Sequence, residues 1–344
     1  MTTIELQSPY AVFLGGAPDA HMAKTGIGVA YWRPDLVAGQ IRLSADGADA
    51  GVDDIDVPKA KDLGVQSLLI GVSHVGGGIA EAWLPSLLEA AEAGIDIVAG
   101  THQRLQSLPE LKAVAGRAGA RLVDIRTPPA DLPVGTGKKR TGKRLLTVGT
   151  DASLGKKYTA LQLERDMSGR GLEATFRATG QTGIMIAQRG IPIDAVVGDF
   201  ISGAAELLSP DNHDDHWDVI EGQGALLHPG YGSVTHGLLI GSQPDAFVMC
   251  HQPTRIRLKN WPDFAIPTYQ ELMRRTILAG SLVNPDIRCV GISINSTGMT
   301  EAERRDYKVS TEQELGLPCV DPLIDGTGPI VDEIIRSFRL NIAP

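Results

Sequence analysis

Residues 144–160 decide the fold: Arg144-Leu145-Leu146-Thr147-Val148-Gly149-Thr150-Asp151-Ala152-Ser153-Leu154-Gly155-Lys156-Lys157-Tyr158-Thr159-Ala160. An apolar run from Leu145 to Val148 enters a loop at Gly149, and Gly155-Lys156 opens a helical pattern. Strand, glycine loop and helix in that order build an anion cradle. Loop N–H groups and the positive end of the helix converge on a phosphate, and a lysine ammonium closes over it. The expected phosphate contacts are therefore the loop residues from Gly149 to Tyr158, with Lys156 and Lys157 as the cations.

Two departures from the standard phosphate loop narrow the ligand. Five residues lie between Gly149 and Gly155 where the usual pattern has four, and the position after the lysine is Lys157. That position is ordinarily Ser or Thr, which holds Mg²⁺; the nearest hydroxyl here is Thr159. Relatives of dethiobiotin synthetase, whose loops also begin Gly-Thr-Asp, tolerate a longer loop. The lost hydroxyl is the heavier departure, because phosphoryl transfer relies on metal-bridged phosphates. A second lysine suits a pyrophosphate that is held and never cut.

At 344 residues and 42% hydrophobic composition, the chain is long enough for two domains with substantial cores. A net charge of −9 argues against nucleic acid or anionic membrane as the general partner. No run approaches the ~18–20 apolar residues of a transmembrane helix, and the first residues lack the basic and apolar regions of a signal peptide. Cys250, Cys289 and Cys319 are widely spaced and odd in number, so free thiols in a reducing compartment are expected. A cytoplasmic protein is the simplest expectation, and a symmetric dimer is common for large α/β enzymes.

Both halves alternate short apolar strands with helical patterns, the signature of parallel α/β layers. Strands are expected at Tyr10–Gly15, Leu36–Leu43, Gln66–Val72, Asp96–Gly100 and Arg121–Ile125, with helices at Trp83–Ala93 and Pro109–Ala118. After the phosphate loop, a helix carrying Ala160, Leu163 and Met167 on one face runs to Gly169. Further strands are expected at Glu173–Ala178, Asp194–Gly198, Trp217–Glu221, Ala246–Cys250 and Arg288–Ile294. Helices are expected at Ser202–Leu208, Tyr269–Ala279, Glu301–Glu314 and Ile330–Leu340.

Residues 127–143 hold Pro128, Pro129, Pro133 and three glycines without hydrophobic periodicity, which reads as a linker. Lys138, Lys139, Arg140, Lys143 and Arg144 make it basic in an acidic protein. Such a cluster is either a solvated tether or a cover over the adjacent loop that neutralises an additional phosphate. In the first domain, Gly15-Gly16-Ala17 and Ser73-His74-Val75-Gly76-Gly77-Gly78 follow expected strands but do not form a dinucleotide fingerprint. The run from Asp211 to His216 has turn chemistry rather than metal-site spacing.

In an open α/β sheet ligands meet the carboxyl ends of the strands, and three titratable residues are expected there. Asp199 follows Ala195-Val196-Val197-Gly198, Glu221 ends Trp217-Asp218-Val219-Ile220, and His251 follows Ala246 to Cys250. His251 suits a general base, since a neutral imidazole takes a proton near neutral pH. Arg255 and Arg257 suit a carboxylate clamp. His228-Pro229-Gly230-Tyr231-Gly232 and Ser233-Val234-Thr235-His236 are expected to form a Gly-rich segment that lines or covers the site.

These motifs together resemble a bacterial two-domain family long catalogued as a domain of unknown function with a C-terminal P-loop domain. The resemblance rests on Gly149-Thr150-Asp151 with Gly155-Lys156, Gly198-Asp199-Phe200, Glu221-Gly222-Gln223-Gly224 and His228-Pro229. It extends to Gly241-Ser242-Gln243-Pro244-Asp245, Cys250-His251-Gln252, Ala23-Lys24-Thr25 and Trp32-Arg33-Pro34-Asp35, and so to nearly the whole chain.

The resemblance implies a Rossmann-like α/β domain over 1–130, a basic Pro/Gly linker over 131–143 and a P-loop-type domain over 144–344. One branch of the family contains D-glutamate N-acetyltransferases. Membership of that branch implies acetyl-CoA as co-substrate, a small D-amino acid as acceptor and no required metal. Glu221, His251 or Asp199 would then be the base, amides near Gly222 to Gly224 the oxyanion donors, and Lys24, Gln223, Arg255 and Arg257 the substrate contacts. The competing expectation is an ATP- and Mg²⁺-dependent ligase or kinase of the dethiobiotin synthetase type.

Overall fold

The structure, a computed structural model, describes residues 3–72 and 77–340. Ser73-His74-Val75-Gly76, singled out in the sequence as a possible anion loop, lie outside the described residues. The chain forms two compact units, Thr3–Pro129 with Gln181–Ala195, and Ala130–Gly180 with the chain from Val196 onward.

In chain order the first segment gives β1 (Ile4–Glu5), β2 (Tyr10–Gly15), α1 (Lys24–Trp32), β3 (Val37–Arg42), α2 (Val57–Asp62) and β4 (Ser67–Ile70). It continues with α3 (Leu84–Glu92), β5 (Asp96–Ala99), α4 (Pro109–Ala118) and β6 (Leu122–Asp124). Five parallel strands lie in the order β3-β2-β4-β5-β6, the architecture of a Rossmann-like sheet. Phe13, Leu68, Ile97, Leu87 and Leu111 meet in its core. The helix α1 was not expected, because Gly26 and Gly28 lower its propensity; it forms because Val29 and Trp32 are buried.

The second segment continues with β7 (Lys143–Gly149), α5 (Lys156–Gly169), β8 (Ala174–Arg177), α6 (Gln181–Ala187), β9 (Arg189–Gly190), α7 (Ile201–Leu208), β10 (Trp217–Ile220) and α8 (Gly232–Ser242). It ends with β11 (Ala246–His251), β12 (Arg257–Leu258), β13 (Trp261–Ala265), α9 (Tyr269–Gly280), β14 (Arg288–Ile294), α10 (Glu301–Leu315), β15 (Cys319–Val320) and α11 (Gly328–Phe338). The elements α6 and β9 return to the first unit. There β9 pairs antiparallel with β1, and Arg33 donates to Ile186 O at 3.1 Å.

The second unit is built on a six-stranded parallel sheet in the order β15-β14-β11-β7-β10-β8. The strand β7 is central, and later strands add on both sides of it, so the strand order reverses beside the phosphate loop. Ala160, Leu163 and Met167 of α5 join Leu145, Trp217, Val248 and Ile334 in the core, the face the periodicity marked. No helix among the described residues is long and apolar enough to cross a membrane.

Three sequence expectations change. The strand over Asp194–Gly198 is absent; Ile193–Ala195 and Gly198–Phe200 are 3₁₀ turns. The Gly-rich stretch after Tyr231 is the helix α8, with Leu238 and Leu239 buried. Residues 130–142 carry no helix or strand, yet they are not a free tether. Arg140 Nε donates to Ser209 O at 2.8 Å, and Arg144, fully buried, donates to the carbonyls of Thr141, Ser209 and Pro210. Arg144 is the second residue of β7 whereas the loop follows its end, about 16 Å away at the rise of a strand. Neither arginine covers the phosphate loop.

Candidate active site at the phosphate loop

The loop is shaped by its backbone. Gly155 caps α5 at φ +105°, a conformation open to glycine and strained for other residues, and Ser153 also has a positive φ of 54°. The N–H groups of Ser153, Leu154 and Gly155 donate to no described protein acceptor, while α5 brings its positive end to the same place. Lys156 folds back across the loop, with Nζ donating to Asp151 O at 2.9 Å. It passes close to Gly222, where a Cβ would fall 1.7 Å from Thr147 O and 3.1 Å from Lys156 Cδ. Burial pushes the Lys156 ammonium down to about 8.

Asp151 organises the loop from inside. Its buried carboxylate accepts from Ala152 N at 2.6 Å, Lys259 N at 2.8 Å and Arg255 Nη1 at 2.7 Å. Arg255 also donates to Ala152 O at 2.8 Å and Gln252 Oε1 at 2.8 Å. The guanidinium expected to clamp a substrate carboxylate therefore braces the phosphate loop. Arg257 is exposed on β12 and donates to no described acceptor.

The hydroxyl nearest the lysine position is turned into the core. Thr159 Oγ1 lies 2.7 Å from Ser293 Oγ and 3.5 Å from Cys250 Sγ. Lys157, in the usual hydroxyl position, lies over the Tyr158 ring at 4.4 Å.

Two of the three expected titratable residues flank this loop. Glu221 follows β10 and is buried, with Oε2 accepting from Thr179 N at 2.9 Å and Gly180 N at 3.0 Å. Burial pushes its carboxyl upward, chiefly against the charge of Lys157. His251 ends β11 with Nδ1 at 2.9 Å from Thr150 Oγ1, and burial holds it down at about 4, so it is neutral near physiological pH. Asp199 does not join them, because it lies exposed on a 3₁₀ turn outside the sheet. Of the expected oxyanion donors, Gly222 N is taken by Thr147 Oγ1 at 2.9 Å, leaving the amides of Gln223 and Gly224. The Gln223 side chain donates to Thr179 Oγ1 at 2.9 Å. Lys24 is exposed at the start of α1 in the first unit.

His228 is more deeply engaged than its position in a Gly-rich stretch suggested. Its Nδ1 accepts from Gly230 N at 3.0 Å and Tyr231 N at 3.2 Å, which leaves the proton on Nε2, 3.6 Å from Asp151 Oδ1. Tyr231 stacks on the imidazole and Trp261 meets it edge-on, each with ring centroids at 4.6 Å. The sequence signal was His228-Pro229-Gly230: a turn that supplies N–H donors to its own histidine.

Fold and site together define an α/β protein of the P-loop class, with a Rossmann-like unit in the same chain. The chain belongs to the DUF1611 family: residues 133–331 match its P-loop domain, described as a domain of unknown function, and residues 38–128 match its N-terminal Rossmann-like domain. It is 46% identical over 329 residues to a D-glutamate N-acetyltransferase of Tritonibacter scottomollicae, covering 96% of this chain and 99% of that protein. A D-glutamate N-acetyltransferase of Pseudoalteromonas sp is 41% identical over 328 residues, covering 95% and 99%. The crystal structure of a DUF1611 family protein from Anabaena variabilis ATCC 29413 superposes with a TM-score of 0.81 at 32% identity, covering 96% of this chain and 100% of that one.

Proposed function

We propose that this protein is an N-acetyltransferase moving acetyl from acetyl-CoA to the amine of D-glutamate. The observation that carries the reading is near-full-length identity to two relatives of that name. The loop supports it: Lys156 and open amides suit a held pyrophosphate, while Thr159 is bonded in the core. Thioester aminolysis needs no phosphoryl transfer, so this loop fits a coenzyme better than a nucleotide to be cleaved.

In this reading the loop amides with Lys156 and Lys157 hold the coenzyme pyrophosphate. Glu221 is the base we prefer, because a carboxyl raised by burial is matched to an ammonium better than an imidazole held near 4. It removes a proton from the substrate ammonium, and the freed lone pair attacks the thioester carbonyl. The amides of Gln223 and Gly224 face the developing oxyanion, such donors being worth roughly 3–4 kcal/mol each. The nitrogen then gives up its second proton as the C–S bond breaks, leaving a neutral amide, and coenzyme A departs as a thiolate that takes up that proton. Arg257 is the cation of this unit that we assign to the substrate carboxylates. We place the enzyme in the cytoplasm, in keeping with its acidic charge and three free cysteines, and as a homodimer, the common state of large α/β enzymes.

Free-thiol release from acetyl-CoA, measured with D- and L-glutamate and with an ATP/Mg²⁺ control, tests the reading. Release with D-glutamate alone and without ATP is expected. Phosphate or ADP production in place of thiol release would hand the site to the ligase reading.

A further inference from the structure

We propose that the cavity beside the phosphate loop seats the purine nucleoside of the coenzyme and that Arg304 binds the phosphate on its ribose. This rests on the acetyl-CoA reading above. The cavity holds about 550 Å³ and opens directly off the loop, with Leu154, Gly155 and Tyr158 on one wall. Asn295, Arg304 and the turn from Asp321 to Ile324 line it as well. A pyrophosphate on the amides of Ser153 to Gly155 would therefore place its next group in this space.

The lining matches a nucleoside in three respects. Leu323 and Ile324 are 54% and 56% exposed, an apolar pair at the cavity rim that a flat ring would cover. Asn295 Oδ1 accepts from Thr297 N at 3.1 Å and Thr297 Oγ1 at 2.6 Å, which fixes the amide and leaves Nδ2 with no described acceptor. It is available as a donor to a ring nitrogen. Arg304, on the first turn of α10, donates to no described acceptor.

That arginine is the informative residue. The neighbouring Asp325 carboxylate feels the charge of Arg304 but is hydrogen-bonded by Lys308 at 2.8 Å, and Asp321 is engaged by Ser296 N at 3.0 Å and Ser296 Oγ at 2.5 Å. The guanidinium thus keeps its forked donors for a ligand, the geometry suited to a phosphate. A purine nucleoside whose pyrophosphate sits on the loop has no second anion to offer it, whereas coenzyme A carries a 3′-phosphate. Arg140 and Arg144 of the basic run do not do this work, since both are bonded at the other end of β7.

Calorimetric titration of adenosine 3′,5′-bisphosphate and of AMP into wild type, Arg304→Ala and Leu323→Asp tests the assignment. Wild type should prefer the bisphosphate by about tenfold or more, one good charge-assisted pair. Arg304→Ala should bring the ratio close to one while leaving AMP affinity as it was. Leu323→Asp, an exposed position that the fold does not need, should weaken both nucleotides. Equal wild-type affinities, parallel losses in Arg304→Ala, or unchanged binding in Leu323→Asp would overturn the proposal. These titrations need no acetyl transfer, so the two readings fail separately. Nucleotide discrimination without thiol release would sink the transferase reading alone, and thiol release without discrimination would sink this one.

Discussion

Asp151 Oδ2 and Arg255 Nη1 lie 2.7 Å apart, an internal ion pair between the phosphate loop and the segment that follows β11. The carboxylate is fully buried and the guanidinium mostly so. The loop therefore holds its shape before any ligand arrives, which lowers the ordering cost of binding an anion.

Removing Arg255 leaves the buried carboxylate with two backbone donors and the Nε2 proton of His228 3.6 Å away. Arg255→Ala should lower stability by roughly 2–4 kcal/mol and raise the KM for acetyl-CoA, with Arg255→Lys restoring part of both. Chemical denaturation and steady-state kinetics check this. An unchanged denaturation midpoint with only the D-glutamate KM raised would return Arg255 to the role of substrate clamp.

Lys156 gives the site a pH dependence with a definite sign. Its ammonium, pushed down to about 8, is charged below that pH and neutral above it. Affinity for the anionic coenzyme should hold below this value and weaken as pH rises through it. Lys156→Arg should carry tight binding to higher pH, and Lys156→Ala should bind weakly with no inflection there. Titrations of coenzyme A across the range decide it; an inflection that survives in Lys156→Ala would belong to another group.

Glu221 and His251 separate in the same kind of experiment. Burial raises Glu221 above the ordinary carboxylate range, and the base must be ionised to act. Activity should therefore fall on the acid side as pH drops through the raised value. His251, held at about 4, should contribute no limb near neutrality. Glu221→Gln should cost about 10²–10⁴ in kcat, the usual range for a general base, and His251→Ala much less. An acid limb unchanged in Glu221→Gln would move the base elsewhere.

The phosphate loop was legible because its determinants are local: an apolar strand, glycines at both loop ends and a helix with one apolar face. The start of α10 is legible for the same reason, since Thr300 and Glu303 form a capping box three residues apart. Asp199 misled because Ala195-Val196-Val197 before it is an unbroken apolar run that reads as a buried strand, while Pro192 and the return of residues 181–195 to the first unit impose turns instead. Charge counting along 138–144 could not reveal that Arg140 and Arg144 find carbonyls near residues 209 and 210. The Asp151–Arg255 brace joins positions 104 residues apart, a distance no periodicity spans.

Thr159 supplies a test of the phosphate loop's chemistry. Its hydroxyl is 2.7 Å from Ser293 Oγ and accepts at 3.5 Å from Cys250 Sγ, all three groups being buried. A hydroxyl held in this way serves packing rather than a metal ion. Thr159→Val keeps the shape and leaves Ser293 without its partner, so a stability loss of about 1–2 kcal/mol is expected. Acetyl transfer by the folded variant should stay within a few-fold of wild type, and a chelator should leave wild-type turnover unchanged. A Thr159→Val protein that folds normally but loses activity, together with loss of turnover in chelator restored by Mg²⁺, would mean that the hydroxyl rotates out to hold a metal. The phosphate loop would then bind its ligand as a kinase does.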